Sequence, residues 1–342
     1  MLSLLLFAVV AAVDAGSVVA VVPDAGVTVP TADASVVYDP AVPSTWRLSD
    51  KLKPGSPARA TLIRDLTRWT PDGGNSLGEM ALTAEEANAL LDDPRAQMTY
   101  GDRTVAIVAP SMIVKQRKDH LDLKKLFLKE ERVVAGAGFA REHESVLAAV
   151  ESKTKVDREI IVAILMWETK LGTITGDYRA FNAFTSQTYF IDDASAVAMS
   201  RDEEKKMGDP ESQKKRVETI RERAGRNLVA LVRQCKAKGI DALEIKSSWA
   251  GALGYPQFMP ASLRWADDGN GDGKIDLFNF DDSIASVGRY LNENGFSRVG
   301  RSKAVWSYNH EAAYVEGVLA FADALHAMRL SPDASILPPA KP

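Results

Sequence analysis

A chain of 342 residues, 46% of them apolar, is long enough to bury a sizeable core, and its 42 basic and 46 acidic side chains leave a formal charge of -4. A balance so near neutrality argues against nucleic acid as the main partner, and the sequence holds no P-loop, dinucleotide fingerprint, HExxH or CxxC. The histidines His120, His143, His310 and His326 lack ligand spacing, so no catalytic zinc is expected, and a lone Cys235 excludes an intramolecular disulfide framework.

Met1 to Ala15 has an apolar core too short to span a bilayer as a stable helix. Val13 and Ala15 before Gly16 make a small-residue cleavage site, so 1–15 reads as a secretory signal peptide that lacks a basic n-region, with an uncleaved anchor as the alternative. No cysteine follows it to carry a lipid. Residues 16–44 are built from Val, Ala, Asp, Pro and Ser and read as a disordered tether, because such a segment buries too little to offset its ordering entropy. Residues 45–82, with Trp46 and Trp69, form an N-terminal extension with no clear pattern.

From residue 83 the pattern is helical. Thr83 and Glu86 make a capping box for a helix through Leu91, stopped by Asp92, Asp93 and Pro94. Thr104 to Ala109 is a short apolar stretch; an exposed helix with Lys115, Arg117 and Lys118 starts near Ser111, and Leu121–Leu128 and Arg132–Val150 read as amphipathic helices. Glu211–Lys238 is a long helix with Leu228, Leu231, Val232 and a buried Cys235 thiol on one side and Gly239 as its stop. Val315, Val318, Leu319, Ala322 and Leu325 give the last helix its apolar face, and residues 331–342 form a loose tail.

Between these lies VDREIIVAILMWETKLGTITG, Val156 to Gly176, where eight apolar residues run unbroken from Ile160 to Trp167. The run is a largely buried helix or a buried strand; Asp157 as cap and Gly172 and Gly176 as stops favour the helix. On a helix Glu168 shares a face with Ile161, Ile164 and Leu165, and its carboxyl ends an apolar stripe. Partial desolvation there raises a carboxyl pKa toward roughly 6 or beyond, as a general acid needs. The alternative is a Glu that reaches solvent or pairs with Lys170 or Arg179. A second segment, SSWAGALGYPQFMPAS from Ser247 to Ser262, sets aromatic residues beside the neutral groups of Ser248 and Gln257 among closely spaced Gly and Pro, the lining of a carbohydrate groove or part of a core.

Together these stretches resemble the membrane-bound lytic murein transglycosylase B family. The resemblance runs through LLDDPRAQMTY and VAPSM, the E-T and G-x-x-x-G of Glu168 to Gly176, FNAFTSQTYF, SSWAGALGYPQFMPAS, the run Asp267 to Phe296 and SYNHEAAYVEGVLAFADAL, covering about residues 83–330. It implies a mainly α, lysozyme-like (α+β) catalytic domain with extra helices and a small EF-hand-like loop. It implies a peptidoglycan lytic transglycosylase with Glu168 as sole acid/base, Ser248 and Gln257 near the acid and the sugars, Tyr308 and Asn309 in the cleft, and Tyr189 as a cleft wall. A hydrolytic muramidase and a catalytically silent wall-binding protein are the other classes. Where the family has Arg and an aromatic after E-T, this chain has Lys170 and Leu171.

Asp268, Asn270, Asp272 and Gly273 reproduce the opening of a calcium loop, D-x-N-x-D-G, with the carbonyl of Lys274 next. The twelfth position is Asn279 instead of an acid, and the family's lengthened loop places the closing acid at Asp282, with Asp276 contributing through water. A structural calcium ion and no organic cofactor are therefore expected. The expected setting is the periplasm or cell envelope, where a monomer acts on glycan strands, with cell-wall enzyme complexes left open.

Overall fold

The computed structural model describes residues 47–68, 79–97, 101–109, 127–201 and 210–330. The leader, the tether, Trp46, Trp69, the basic helix after Ser111, most of Leu121–Leu128 and the tail lie outside these residues. The first described elements are α1 (Leu48–Lys51), α2 (Pro57–Thr67) and α3 (Ala84–Asp92), then a 3-10 turn Pro94–Gln97 and α4 (Gly101–Val108). The capping box forms as the spacing demands: Glu86 N–H donates to Thr83 Oγ1 at 3.1 Å and Thr83 N–H to Glu86 Oε2 at 2.9 Å. The extension is joined to the body here. Arg59 on α2, 5% exposed, donates to both carboxylate oxygens of Asp92, to Asn88 Oδ1 and to the Leu52 carbonyl.

Next come α5 (Glu130–Glu142), α6 (Glu144–Thr154) and α7 (Arg158–Thr169). The single helix expected over Arg132–Val150 is in fact two, broken at His143. The break turns the His143 ring onto Phe139 and Phe280 and brings its Nδ1 within 3.3 Å of Asp281 Oδ1. Residues Ile160 to Trp167 of α7 are all buried, so the apolar run is a central helix, packed by α5, α6 and two later helices, α11 (Phe280–Glu293) and α14 (Ala312–Leu330). Asp157 holds the N-cap position of α7 but makes no side-chain cap bond; its carboxylate pairs instead with Arg301 at 3.2 Å. Glu159 is buried in the first turn and receives Arg329 Nε of α14 at 2.6 Å. A Cβ on Gly317 of α14 would stand 2.1 Å from the Trp167 ring, so glycine sets how closely the two helices approach.

Beyond α7 the chain forms β1 (Tyr178–Arg179), α8 (Ala180–Tyr189), α9 (Ile191–Arg201), α10 (Pro210–Lys238) and β2 (Lys246–Ser247). The two strands pair antiparallel, Tyr178 with Ser247 and Arg179 with Lys246, the one sheet among the described residues. α8 lies along α10, whose Leu228, Leu231, Val232 and Cys235 are buried as the spacing predicts, and burial pushes the Cys235 thiol up to about 11. A 3-10 turn Pro260–Trp265, α12 (Phe296–Val299) and α13 (Arg301–Tyr308) complete the path to α14. No described helix is long and apolar enough to cross a membrane.

Candidate active site

Glu168 occupies the last turn of α7, and the backbone reverses immediately after it. The reversal is made by Lys170 and Leu171, at φ 49° and 53°, ahead of Gly172, and not by the glycines alone. Lys170 N–H donates to the Met166 carbonyl at 3.0 Å and Leu171 N–H to the Leu165 carbonyl at 3.1 Å, which satisfies carbonyls that a helix end leaves open. Two side-chain-bearing residues in the left-handed region cost about 1 kcal/mol or more each. Thr169 offsets part of that: its Oγ1 accepts Gly172 N–H at 3.0 Å and donates to the Tyr255 carbonyl at 3.1 Å, so the residue beside the acid fastens the helix end to the GYPQF loop.

Glu168 is half-buried, and desolvation of its carboxyl pushes the pKa up to about 8 against the opposing pull of a hydrogen bond from Tyr314. Tyr314 Oη donates to Glu168 Oε1 at 2.9 Å from a fully buried position on α14. Its phenol is held well above the usual range by burial and by the negative charge Glu168 carries when ionised, so it remains a donor. Tyr308 is raised likewise, and its hydroxyl donates to the Pro256 carbonyl at 2.5 Å. Its ring meets Tyr290 at 4.9 Å edge to face, and Tyr290 donates to the Ser307 carbonyl at 2.6 Å. Among the described residues no other acid contributes to the shift of Glu168, so its carboxyl is held neutral near neutral pH by desolvation.

The expected residues gather unevenly around it. Asn309 is 1% exposed, and its Nδ2 is a buried donor with no hydrogen-bond partner among the described residues, next to Tyr308. Gln257 sits at φ 52° and turns its Nε2 back on the Gly254 carbonyl at 2.8 Å, shaping its own loop. Ser248 follows β2 and accepts Ala252 N–H on Oγ at 3.1 Å, which closes the turn that carries Trp249. Tyr189 is half-buried at the end of α8 and is raised by burial and by Asp65 of α2; no hydrogen bond or ring contact among the described residues joins it to Glu168. Asp177, the next acid along the chain after Glu168, has a side chain 90% exposed and pairs with Lys246 at 2.7 Å. Tyr314 is the residue that sequence reasoning missed, because its helix was read as core; a hydroxyl on a buried apolar face needs a partner, and that was the available signal.

The acidic loop is built by its own side chains. Asp268 Oδ1 and Oδ2 accept the N–H groups of Gly271 and Gly273, each at 2.7 Å, Asn270 Oδ1 accepts that of Asp272 and Asp272 Oδ1 that of Lys274. Asp282, 1% exposed in the first turn of α11, draws the loop together: Oδ1 accepts Gly269 N–H and Oδ2 accepts Asp276 N–H, at 2.8 and 2.7 Å. Asn279 caps α11 through Asp281 N–H at 2.8 Å, a role apart from the loop's closing acid. No group of three or more acidic, histidine or cysteine side chains converges as a ligand set among the described residues, so the EF-hand-like geometry is not displayed. The donor chemistry nevertheless suits calcium, since all the oxygens are hard and each carboxylate oxygen has a second lone pair beside the one given to an amide.

Comparison with known proteins bears on this arrangement. The chain is 28% identical over 186 residues to the membrane-bound lytic murein transglycosylase B of Escherichia coli, a match that spans 52% of this chain and 42% of that protein. Its fold is similar to that of the E. coli lytic transglycosylase Slt35 in complex with bulgecin A, with a TM-score of 0.58, 18% identity and coverage of 81% of this chain and 95% of that one. It is also similar to the soluble lytic transglycosylase SltB1 of Pseudomonas aeruginosa, with a TM-score of 0.57, 20% identity and coverage of 80% and 100%. The predominantly helical, lysozyme-like fold is thereby shown. The transglycosylase SLT domain model matches residues 75–305, a stretch that holds Glu168, Ser248, Gln257 and the acidic loop and stops just short of Tyr308. With more than half of its length matched and the acid-bearing helix inside the match, the chain belongs to the transglycosylase SLT domain family.

Proposed function

We propose that this chain is a peptidoglycan lytic transglycosylase that cuts the β-1,4 bond between N-acetylmuramic acid and N-acetylglucosamine. The observation that carries the reading is a half-buried carboxyl, Glu168, bonded by Tyr314 and held protonated near neutral pH by desolvation, on which no second acid acts among the described residues. A glycosidase that hydrolyses with two carboxylates needs both at the scissile bond. A lone acid suffices when the substrate supplies the nucleophile. Glu168 gives its proton to the glycosidic oxygen as the bond to the anomeric carbon breaks. The muramyl 6-hydroxyl then adds to that carbon and returns its proton to Glu168, which leaves a 1,6-anhydro end with no water consumed. Tyr314 aims the carboxyl through Oε1 and stabilises it once it has lost its proton. Asn309, buried next to Tyr308, supports the cleft from behind. Ser248 and Gln257 hold the walls, and Tyr189 is the residue for which the geometry offers least support. The substrate places the enzyme in the cell envelope.

The loop of Asp268, Asn270, Asp272, the Lys274 carbonyl and Asp282 is proposed to hold a structural calcium ion, a reading to which the calcium complex of Slt35, 19% identical with a TM-score of 0.58, lends support by its fold. Calcium there braces the loop between the groove segment and α11 and takes no part in the reaction. It should raise the melting temperature by mass action, and Asp272→Ala should remove most of that rise, with magnesium a poor substitute. An equal melting curve in chelator and in millimolar calcium, on protein verified metal-free, rules the ion out.

Mass analysis of digested murein tests the reaction. Anhydro-muramic ends, lighter by one water than reducing ends, are expected, together with their complete loss in Glu168→Gln. Reducing ends would make the protein a hydrolase, and an active, folded Gln variant would remove Glu168 from the mechanism.

A further inference from the structure

The surface next to the catalytic helix end carries an exposed aromatic edge that the reaction does not use. Phe278 and Ile275, each 41% exposed, project from a loop otherwise made of Asp, Asn, Gly, Lys and the buried Leu277, where apolar exposure has no structural benefit. Phe278 meets the half-buried Tyr255 edge to face at 5.9 Å, and Tyr255 in turn stacks on Phe280 at 4.1 Å. This edge is fixed to the acid by short links. Tyr255 N–H donates to the Leu277 carbonyl at 2.8 Å, Asp276 Oδ1 accepts Phe278 N–H at 2.8 Å, and the Tyr255 carbonyl accepts Thr169 Oγ1, one residue from Glu168. A Cβ on Gly172 would stand 2.8 Å from both the Tyr255 and Phe280 rings, so the turn after Glu168 lies directly against them.

We propose that Phe278 and Tyr255, flanked by Ile275, form a stacking subsite for a sugar ring of the glycan strand beyond the pair whose bond is cut; this rests on the transglycosylase reading. The occupant follows from charge. Asp268, Asp272, Asp276, Asp281 and Asp282 lie within ten residues of Phe278, and their charge exceeds what Lys274 and a bound calcium ion offset, which disfavours the carboxylates of a peptide stem, whereas an N-acetylated sugar is neutral and offers a flat C–H face to a ring. The rigid backbone links leave little to be ordered on binding, which suits a subsite that grips the strand while the acid acts.

Titration of peptide-free murein glycan strands into the inactive Glu168→Gln protein tests the subsite, with and without Phe278→Ala, Phe278→Leu and Phe278→Tyr. Affinity should weaken about three- to tenfold in the Ala and Leu forms and return in the Tyr form, since only an aromatic ring restores the stacking face. In protein with Glu168 intact, Phe278→Ala should raise KM by the same factor with kcat held. Unchanged affinity in Phe278→Ala overturns the proposal, as does a Leu form that binds like wild type, which would make the contact merely apolar, or a loss confined to strands that carry peptides. If wild type made no anhydro product, the functional reading would fall while the titration still decided whether the edge binds sugar.

Discussion

At Glu168 one hydrogen bond and the loss of water pull in opposite directions, and in the proposed reaction the balance sets the working pH. Burial raises the carboxyl from its usual value of 4.5 to about 8, and the Tyr314 hydroxyl, by favouring the anion, lowers it. Activity should therefore fall as pH rises through about 8, and Tyr314→Phe should move that alkaline limb upward while kcat drops, since the carboxyl loses both its aim and its stabilisation. A limb that moved downward in the pH–rate profile would contradict the role given to Tyr314. The same shift has a sign for stability. Between 4.5 and about 8 the folded protein holds a proton that the unfolded chain has released, so this group's contribution to stability is fully present at acid pH and is lost as pH rises through that window. Glu168→Gln, which carries no such charge, should be more stable than wild type at pH 8 by roughly 2 kcal/mol, less than the full shift implies because the carboxyl is partly solvated, and equal to it near pH 4. Thermal melts of both proteins across pH read the difference directly.

The elements place this residue through close approaches that leave no slack. Gly317→Ala would push a methyl into the Trp167 ring and force α7 and α14 apart, and with them Glu168 from Tyr314. A loss of about 3 kcal/mol in denaturant unfolding is expected, with activity falling further than stability. Thr169→Val should keep the shape but abolish the hydrogen bonds of Oγ1, those to Gly172 and Tyr255 among them, costing about 1–2 kcal/mol and loosening the GYPQF loop. Much of this scale was legible in the sequence. The apolar run Ile160–Trp167 could only be a buried element, the Thr83–Glu86 spacing specified a cap, and the face of Leu228, Leu231, Val232 and Cys235 specified a packed long helix. The rest depended on contacts distant in sequence. At the break, His143 meets Asp281 and Phe280, more than a hundred residues away, and Asp157 likewise pairs with the distant Arg301 in place of capping its own helix. The link from Tyr314 to Glu168 spans a separation that no periodicity encodes.

For the whole molecule, the open question is how the segment before residue 83 is attached to the catalytic body. Its helices bury Leu48, Leu52, Leu62 and Leu66, and two arginines lock them down. Arg233 of α10 donates to the Asp65 carbonyl at 2.6 Å and to that of Arg68, while Arg59 of α2 gathers Asn88, Asp92 and the Leu52 carbonyl around one guanidinium. Arg59 is buried, whereas its partner Asp92 is 59% exposed. Removing the arginine therefore leaves a carboxylate that water can reclaim, and the main loss is in carbonyl and amide bonds and in packing. Arg59→Ala should cost about 2 kcal/mol, below the 3–5 typical when a fully buried pair is broken. Because Tyr314 bonds Glu168 and Tyr308 bonds the Pro256 carbonyl, both within the body, the loss should be local: α1 and α2 should detach ahead of the body. Limited proteolysis should then cut Arg59→Ala within residues 47–82 at least several times faster than wild type, with the fragment from α3 onward persisting and the rate of murein cleavage retained. Protection equal to wild type, or an equal acceleration of cuts in α7 and α10, would show instead that the segment and the body unfold as one unit.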